Sequence, residues 1–127
     1  MIATLIAVAG GGAAGALGRY GLSVWVQRGL GMGFPWGTLA VNVVGSFLMG
    51  GLAAALQRGA VPPEVQALAA VGILGSFTTF SAFSLETIQL LHEGAWARAL
   101  AYIGVSVGVG LLAVVAGMRL VATLPEG

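Results

Sequence analysis

Residues 75–86 read Gly75-Ser76-Phe77-Thr78-Thr79-Phe80-Ser81-Ala82-Phe83-Ser84-Leu85-Glu86 and lie within an apolar run that extends from Val65 to Leu91. The stretch combines many hydroxyl groups with a carboxylic acid, and polar groups at membrane depth usually face a partner helix or a water-filled path. Glycine followed by β-branched and hydroxyl residues also weakens a helix, so we predict a break near residues 75–79. Non-helical backbone inside a membrane is tolerated where it is buried in protein or lines a cavity, and its carbonyls often hold a cation. The stretch therefore predicts an ion site at the bilayer midplane.

The composition of the chain is that of an integral membrane protein. Of its 127 residues, 58% are hydrophobic and 7% are charged, whereas a soluble domain carries about 25% charged residues. The absence of cysteine excludes a disulfide framework and a thiolate metal site. A net charge of +1 without a basic run argues against nucleic acid as a partner. The first 27 residues also lack the basic start that a cleaved signal peptide requires.

Four apolar segments are each near or above the length of about 20 residues that crosses a bilayer. They lie at about residues 2–27, 37–57, 65–91 and 97–122. The loops between them are short and are punctuated by glycine and proline, which favours an up-down bundle. We therefore predict an all-α integral membrane protein, with one domain of four transmembrane helices over residues 1–127 and a break in the third helix.

The basic residues do not favour one orientation in the membrane. An even number of spans places both termini on one side together with Arg58 and Arg119, while Arg28 and Arg98 lie on the other side. Even when Arg19 is added to the second side, that side has three arginines against two, so the positive-inside rule gives no clear orientation. We interpret this balance as dual topology, in which two copies of the chain pair antiparallel. The alternative is a fixed orientation set by another determinant.

Polar residues recur on one face of the second segment. Thr38, Asn42, Ser46 and Gly50 follow one another at four-residue intervals. The amide of Asn42 needs hydrogen-bond partners in a membrane, and it either joins helices or donates into a pore. Arg19, near the end of the first helix, either reaches the interface or lends positive potential to an aqueous vestibule. The sequence alone leaves both pairs of roles open.

The first segment contains Gly10-Gly11-Gly12-Ala13-Ala14-Gly15, which matches the spacing of a dinucleotide-binding loop. We reject that interpretation because no strand precedes the motif and no acidic residue occurs before Glu64. Gly11 and Gly15 are instead interpreted as a small-residue face for helix packing. The single His92 is expected to be a solvated interfacial residue, because a lone histidine without cysteine makes a poor transition-metal site.

In the third segment, phenylalanine rings alternate with hydroxyl groups. Phe77, Phe80 and Phe83 recur at three-residue intervals, a spacing that is usually core packing. The edge of a phenylalanine ring is electropositive, so two edges beside amide and hydroxyl donors can accept a small anion. A fixed cation would hold the anion too tightly, because passage needs weak binding. Glu86 would cost about 3 kcal/mol facing lipid at the bilayer centre. We expect it to accept hydrogen bonds inside the bundle or to lie near an end of the span.

Three stretches together resemble the Fluc (CrcB-type) fluoride channel family over essentially the whole chain. They are Gly-Arg-Tyr-Gly-Leu-Ser at 18–23, Gly-Thr-Leu-Ala-Val-Asn-Val-Val-Gly-Ser-Phe at 37–47, and the stretch 75–86 quoted above. The resemblance implies an antiparallel, dual-topology homodimer with two pores, each built from both subunits. It implies a fluoride-selective passive channel that exports cytoplasmic fluoride for fluoride resistance. The channel would lie in a bacterial or archaeal inner (plasma) membrane as a multi-pass protein, and it would not be an enzyme.

The resemblance also implies roles for individual residues. The pore residues would be Asn42, Phe80, Phe83, Thr79, Ser81, Glu86, Tyr102 and Ser106. Of these, Phe80 and Phe83 would contact fluoride by their ring edges, with the amide of Asn42 as a donor beside them. Arg19 and Thr38 would line the vestibule. The backbone carbonyls that would hold one structural sodium ion, at the centre of the dimer, belong to Gly75 and Thr78.

Two departures and two alternatives accompany this interpretation. Family members often carry a hydroxyl where this chain has Ala82 and Gly110, and these losses would thin the polar track. The main alternative is a proton/drug antiporter like the small multidrug transporters, for which Glu86 is the only candidate carboxylate at membrane depth. The other alternative is a non-transporting assembly factor whose polar residues only join helices.

Overall fold

The computed structural model describes residues 1–59 and 61–126. Over that part of the chain the helices are α1 (Ile2–Leu30), α2 (Trp36–Gln57), α3 (residues 63–77), α4 (Phe80–His92) and α5 (Trp96–Ala122). Four stretches are long and apolar enough to cross a membrane, the third being Pro63–His92, which combines α3 and α4. The prediction of an all-α protein with four membrane-spanning helices is confirmed. Each predicted span lies within one of these stretches.

The helix α3 is irregular over most of its length. It begins with the turn Pro63–Gln66, where proline suits a helix N-terminus because the missing N–H would have no partner there. Residues Ala67–Leu74 then form a π-helix, a rare winding that is frequently associated with functional sites. A single α-helical turn, Gly75–Phe77, completes α3. The sequence analysis predicted a break in this span but not the π-helix before it.

The third span is interrupted at Thr78 and Thr79, within the stretch where the sequence predicts a break. Thr78 has φ −90° and ψ 157°, and Thr79 has φ −149° and ψ 115°, so both residues are extended. Thr79 is also the N-cap of α4, because its Oγ1 accepts a hydrogen bond from the backbone N–H of Ala82 at 3.1 Å. The break therefore ends one helix and begins the next with a capping side chain.

The side chain of Asn42 on α2 pairs with the backbone of Thr79. Its Nδ2 donates to the Thr79 carbonyl at 3.0 Å, and its Oδ1 accepts from the Thr79 N–H at 2.8 Å. An extended residue within a span has no helical partner for either group, and an unpaired backbone group in a membrane costs several kcal/mol. The amide of Asn42 thus replaces the helical hydrogen bonds that Thr79 lacks.

Glycine residues bring the helices into backbone contact. On α1, a Cβ at Gly15 would overlap the carbonyl of Ile73 in α3. Between α2 and α5, a Cβ at Gly50 would overlap the Val114 carbonyl, and one at Gly117 would overlap the carbonyl of Phe47. Small residues permit this close approach of membrane helices. The bundle is therefore built from two tight pairs, α1 with α3 and α2 with α5.

Few side chains of a single chain are buried. The main apolar cluster comprises Leu39, Leu90, Ala99 and Tyr102, and the Tyr102 side chain is 0% exposed. Aliphatic residues such as Leu17 and Leu111 are exposed along the spans, as expected where lipid replaces water as the solvent. The cluster joins α2, α4 and α5, and this is where the polar residues of those helices converge.

We predict that Asn42→Ala destabilises the folded protein. The substitution leaves both the N–H and the C=O of Thr79 without their side-chain partners, and a buried unsatisfied polar group costs about 1–3 kcal/mol. The measurement is the temperature at which the detergent-solubilised protein loses its monodisperse elution profile. Ser84→Ala is the matched control, because Ser84 Oγ donates to the Phe80 carbonyl at 2.9 Å within α4 and orphans no backbone group at the break. Equal melting temperatures for the two variants would contradict this role of Asn42.

Candidate functional site

Arg19 lies at the broken backbone of the third span. Its Nε donates to the carbonyl of Ser76 at 3.1 Å, one of the carbonyls that the end of α3 leaves without a helical donor. The partly buried guanidinium also places positive charge at a helix C-terminus, where the helix dipole is negative. The sequence analysis did not anticipate this contact, although Gly11, Gly15 and Arg19 follow one another at four-residue intervals on the face of α1 that packs against α3.

Two further carbonyls at the break, those of Gly75 and Thr78, accept no hydrogen bond from residues 1–59 or 61–126. Both lie around the C-terminal end of α3, and Gly75 is exposed on the surface of the single chain. The same residues contain no group of three or more His, Asp or Glu side chains able to hold a metal ion. Uncommitted carbonyl oxygens at the end of a broken membrane helix are the donor type that suits a monovalent cation, so the residues expected to hold sodium fit such an ion chemically.

Phe80 and Phe83 form an aromatic pair at the start of α4. Their ring centroids are 5.7 Å apart with an interplanar angle of 45°. Phe83 also lies against Tyr102, with centroids 5.1 Å apart and an angle of 55°. Both pairs are therefore tilted rather than stacked face to face, which is a preferred type of arrangement for aromatic rings. Phe83 is half-buried, whereas Phe80 is 79% exposed in the single chain.

A cavity of about 320 Å³ lies beside this aromatic pair, and we call it the aromatic cavity. Five of the predicted pore residues line it, namely Asn42, Thr79, Phe80, Phe83 and Ser106. The hydroxyl of Ser106 is buried and has no hydrogen-bond partner within the described chain. Apart from the neutral amide and hydroxyl groups, the lining is apolar and includes Met49 and Val114. The cavity is therefore an uncharged space with hydrogen-bond donors on its walls.

Glu86 lies one turn beyond Phe83 and is bound from two helices. Thr38 Oγ1 on α2 donates to Glu86 Oε1 at 2.6 Å, and the hydroxyl of Tyr102 on α5 donates to Glu86 Oε2 at 3.3 Å. The carboxylate thus accepts hydrogen bonds inside the bundle instead of facing lipid, where it would cost about 3 kcal/mol. Tyr102 therefore touches both the carboxylate and the ring of Phe83.

A second cavity, of about 350 Å³, has Thr38 and Glu86 in its lining, and we call it the outer cavity. The rest of its wall includes the loop residue Phe34, residues of α1 and α4, and two further charged side chains, Glu93 and Arg98. Glu86 in its lining and Phe83 in the lining of the aromatic cavity are both in contact with Tyr102. Contacts among Glu86, Tyr102 and Phe83 therefore connect the linings of the two cavities.

Four of the predicted residues line neither cavity, namely Arg19, Gly75, Ser81 and Tyr102. Ser81 is exposed, and its Oγ is 3.3 Å from Thr79 Oγ1. Arg19 and Gly75 are at the break but do not line either cavity. The structure also places Ser46 on the wall of the aromatic cavity, although the sequence analysis gave it no role beyond membership of the polar stripe on α2.

The loop between α1 and α2 is held by Gln27, which the sequence analysis did not single out. Its Nε2 donates to the carbonyl of Phe34 at 2.8 Å and to the carbonyl of Gly31, and its Oε1 accepts from the N–H of Gly37 at 3.0 Å. This places the ring of Phe34 edge-on to Tyr102, with centroids 5.4 Å apart. In the sequence, the only indication of this role is that a polar glutamine stands at the end of an apolar span.

Comparison with known proteins identifies the family. The family described as "CrcB-like protein, Camphor Resistance (CrcB)" matches residues 6–118. A Thermus thermophilus protein named "Fluoride-specific ion channel FluC" is 51% identical over 113 residues, which is 89% of each chain. Proteins with the same name from Rhizobium meliloti and Sorangium cellulosum are 46% and 47% identical, and they align with 94% and 92% of this chain and with 97% and 93% of their own.

These matches confirm the resemblance that the three sequence stretches indicate. The relatives are named as ion channels, which is not a class of enzyme, and four apolar helices are present to cross the membrane. This chain is a multi-pass protein of the bacterial inner membrane and belongs to the CrcB family of fluoride channels.

Proposed function

We propose that the chain is a fluoride-selective passive channel that exports cytoplasmic fluoride and thereby confers fluoride resistance. The observation that carries the proposal is the aromatic cavity, where the Phe80 and Phe83 rings, the Asn42 amide and the unpartnered Ser106 hydroxyl share one uncharged space. The names of the relatives support fluoride as the ion.

The chemistry of the aromatic cavity suits a small anion that must also leave. Asn42 Nδ2 uses one hydrogen on the Thr79 carbonyl and has a second one available, because an amide nitrogen is a double donor. Ring edges and neutral donors attract an anion without the strong binding of an opposite charge, which favours conduction over retention. A larger halide is held less well by the same donors, because its charge is spread over a greater radius.

The outer cavity provides the aqueous end of the proposed pore. The hydroxyls of Thr38 and Tyr102 converge on Glu86 at its inner end, and they surround the carboxylate with donors before the aromatic pair is reached. Arg98, Glu86 and Glu93 all line the same cavity, so its wall carries charges of both signs. Fluoride would pass from this cavity along Phe83 toward the break.

Export follows from passive conduction. Hydrogen fluoride is neutral and enters a cell through the bilayer, then ionises at cytoplasmic pH and is trapped as the anion. A membrane potential that is negative inside drives an anion outward by about 2.3 kcal/mol per charge per 100 mV. An open, fluoride-selective pore is therefore sufficient for resistance, and no observation favours the antiporter alternative based on Glu86.

We further propose an antiparallel homodimer with two pores, each completed by the partner subunit. Phe80 is 79% exposed, and Gly75 and Ser81 are exposed beside it at the level of the break. Polar groups at this depth usually face protein or water rather than lipid. A second copy of the chain would cover them, and the balanced arginines allow that copy to insert in the opposite orientation.

A structural sodium ion at the dimer axis is part of the same proposal. The carbonyls of Gly75 and Thr78 have no donor within the described chain, and a two-fold axis would double them into a set of four. A bound cation would be coordinated by the partly negative oxygens of these carbonyls and would thereby join the two subunits. The neighbouring backbone groups are bonded to side chains instead, Ser76 to Arg19 and Thr79 to Asn42.

In liposomes that contain the purified protein, we expect fast fluoride efflux without matching chloride efflux. A potassium gradient with valinomycin supplies the driving force, and ion-selective electrodes record each anion. Protein-free liposomes are the control. Folded, dimeric protein that releases no fluoride would overturn the channel proposal.

Phe83→Leu is expected to lower the fluoride rate by at least about tenfold, equivalent to about 1.4 kcal/mol, because the aliphatic side chain lacks an electropositive edge. Phe47→Leu is the matched control, since Phe47 is half-buried on α2 and lines neither cavity. The same efflux assay compares both variants at equal protein per liposome. Equal rates for the two variants would remove Phe83 from the pathway.

The dimer and its ion are tested together by native mass spectrometry from detergent. We expect a dimer that retains one sodium ion after exchange into a buffer containing only a large organic cation. Chemical cross-linking in membranes that carry protein of both orientations provides the control for detergent effects. A monomer, or a dimer without bound sodium that conducts fluoride at the full rate, would contradict this part of the proposal.

A further inference from the structure

We propose that Ser46 on α2 contacts fluoride directly in the aromatic cavity. The inference rests on the proposed channel function and adds a hydroxyl donor from α2 to the residues of the pathway. Ser46 lies one helical turn from Asn42 on the same face of α2, and its side chain is half-buried on the cavity wall. One turn advances about 5.4 Å along a helix, so the two donors are successive steps along the cavity.

The hydroxyl proton of Ser46 is uncommitted. Thr78, Ser84 and Thr87 each donate to the carbonyl four residues earlier, at 3.1, 2.9 and 2.7 Å. Ser46 makes no such bond, nor any other hydrogen bond within residues 1–59 and 61–126. A serine in a membrane helix normally satisfies its hydroxyl on its own backbone or on a neighbouring helix. Its freedom here, on a cavity wall, is what an anion contact requires.

The nearest part of α5 adds no hydroxyl beside Ser46. Gly110 lies next to it, since a Cβ built at Gly110 would be 3.9 Å from Ser46 Oγ. The neighbouring lining residues Met49 and Val114 are apolar. The hydroxyls of Thr78 and Thr79, which also line the cavity, already take part in hydrogen bonds. Within the described chain, Ser46 and Ser106 are therefore the lining hydroxyls free to partner an anion, for which apolar surroundings are costly.

The geometry permits a test in which the hydroxyl is moved from α2 to the adjacent position on α5. Ser46→Ala removes the donor, and Gly110→Ser adds one beside it without a clash, since 3.9 Å is an ordinary contact distance. We compare the wild type, S46A, S46A/G110S and S46A/G110A in the fluoride efflux assay at equal protein per liposome. The S46A/G110A variant controls for the volume that a side chain at position 110 adds.

We expect S46A to reduce the fluoride rate by about tenfold, the change for one lost hydrogen bond to a charged group. S46A/G110S should recover most of the rate, whereas S46A/G110A should not. Melting temperature should be unchanged in S46A, because Ser46 Oγ makes no hydrogen bond within the described chain. A destabilised S46A would overturn the inference by showing a structural role, as would S46A at the wild-type rate or equal rates for the two double variants.

These outcomes separate the inference from the proposed function. If wild-type protein conducts fluoride and S46A conducts equally well, the channel stands and the role of Ser46 is wrong. If wild-type protein shows no fluoride efflux, the channel proposal itself is overturned, and the inference falls with it.

Discussion

The structure depends on one constraint, which is that a helix broken inside a membrane must find partners for its backbone. Thr78 and Thr79 are extended in the middle of the third span, where no water competes for hydrogen bonds. Asn42 pairs with both polar groups of Thr79, and Arg19 takes the carbonyl of Ser76. Two neighbouring helices therefore supply these partners, α1 on the N-terminal side of the break and α2 at the break itself. The break is stable only within the assembled bundle.

The glycine contacts explain how those two side chains reach the break. Backbone contact at Gly15 brings α1 close enough to α3 for Arg19, one turn further along, to reach Ser76. At Gly45, a Cβ would overlap the Thr78 side chain, so α2 also approaches the break closely just beyond Asn42. A larger residue at either position would hold the donor away from the backbone that needs it. The close packing of the helices is therefore what allows the polar backbone groups at the break to find hydrogen-bond partners.

Much of the fold and part of the site could be predicted from the sequence. Apolar length predicts the four spans, and Gly75 with the hydroxyls after it predicts the break. The stripe of Thr38, Asn42 and Ser46 correctly groups residues that face the cavities. Periodicity alone, however, cannot identify a partner on another helix.

The contacts of Glu86 with Thr38 and Tyr102, and that of Arg19 with Ser76, depend on how helices far apart in sequence are aligned along one another. The π-helix at Ala67–Leu74 has no signature in composition, because it arises from an additional residue accommodated within the turns. The sequence therefore indicates which residues need partners, and the packing of the helices determines which partners they obtain.

The hydrogen bonds from Ser84 and Thr87 to their own helix have a consequence for comparing proteins of this kind. A hydroxyl has one proton, and once that proton is given to the carbonyl of Phe80 or Phe83 it is not available to a passing ion. A count of serines and threonines in the third span thus overstates the capacity of the wall to stabilise negative charge. Two homologues with equal hydroxyl content can differ in conductance because their protons are allocated differently. The number that matters is how many hydroxyl protons make no hydrogen bond within the protein, and it has to be determined from three-dimensional structures.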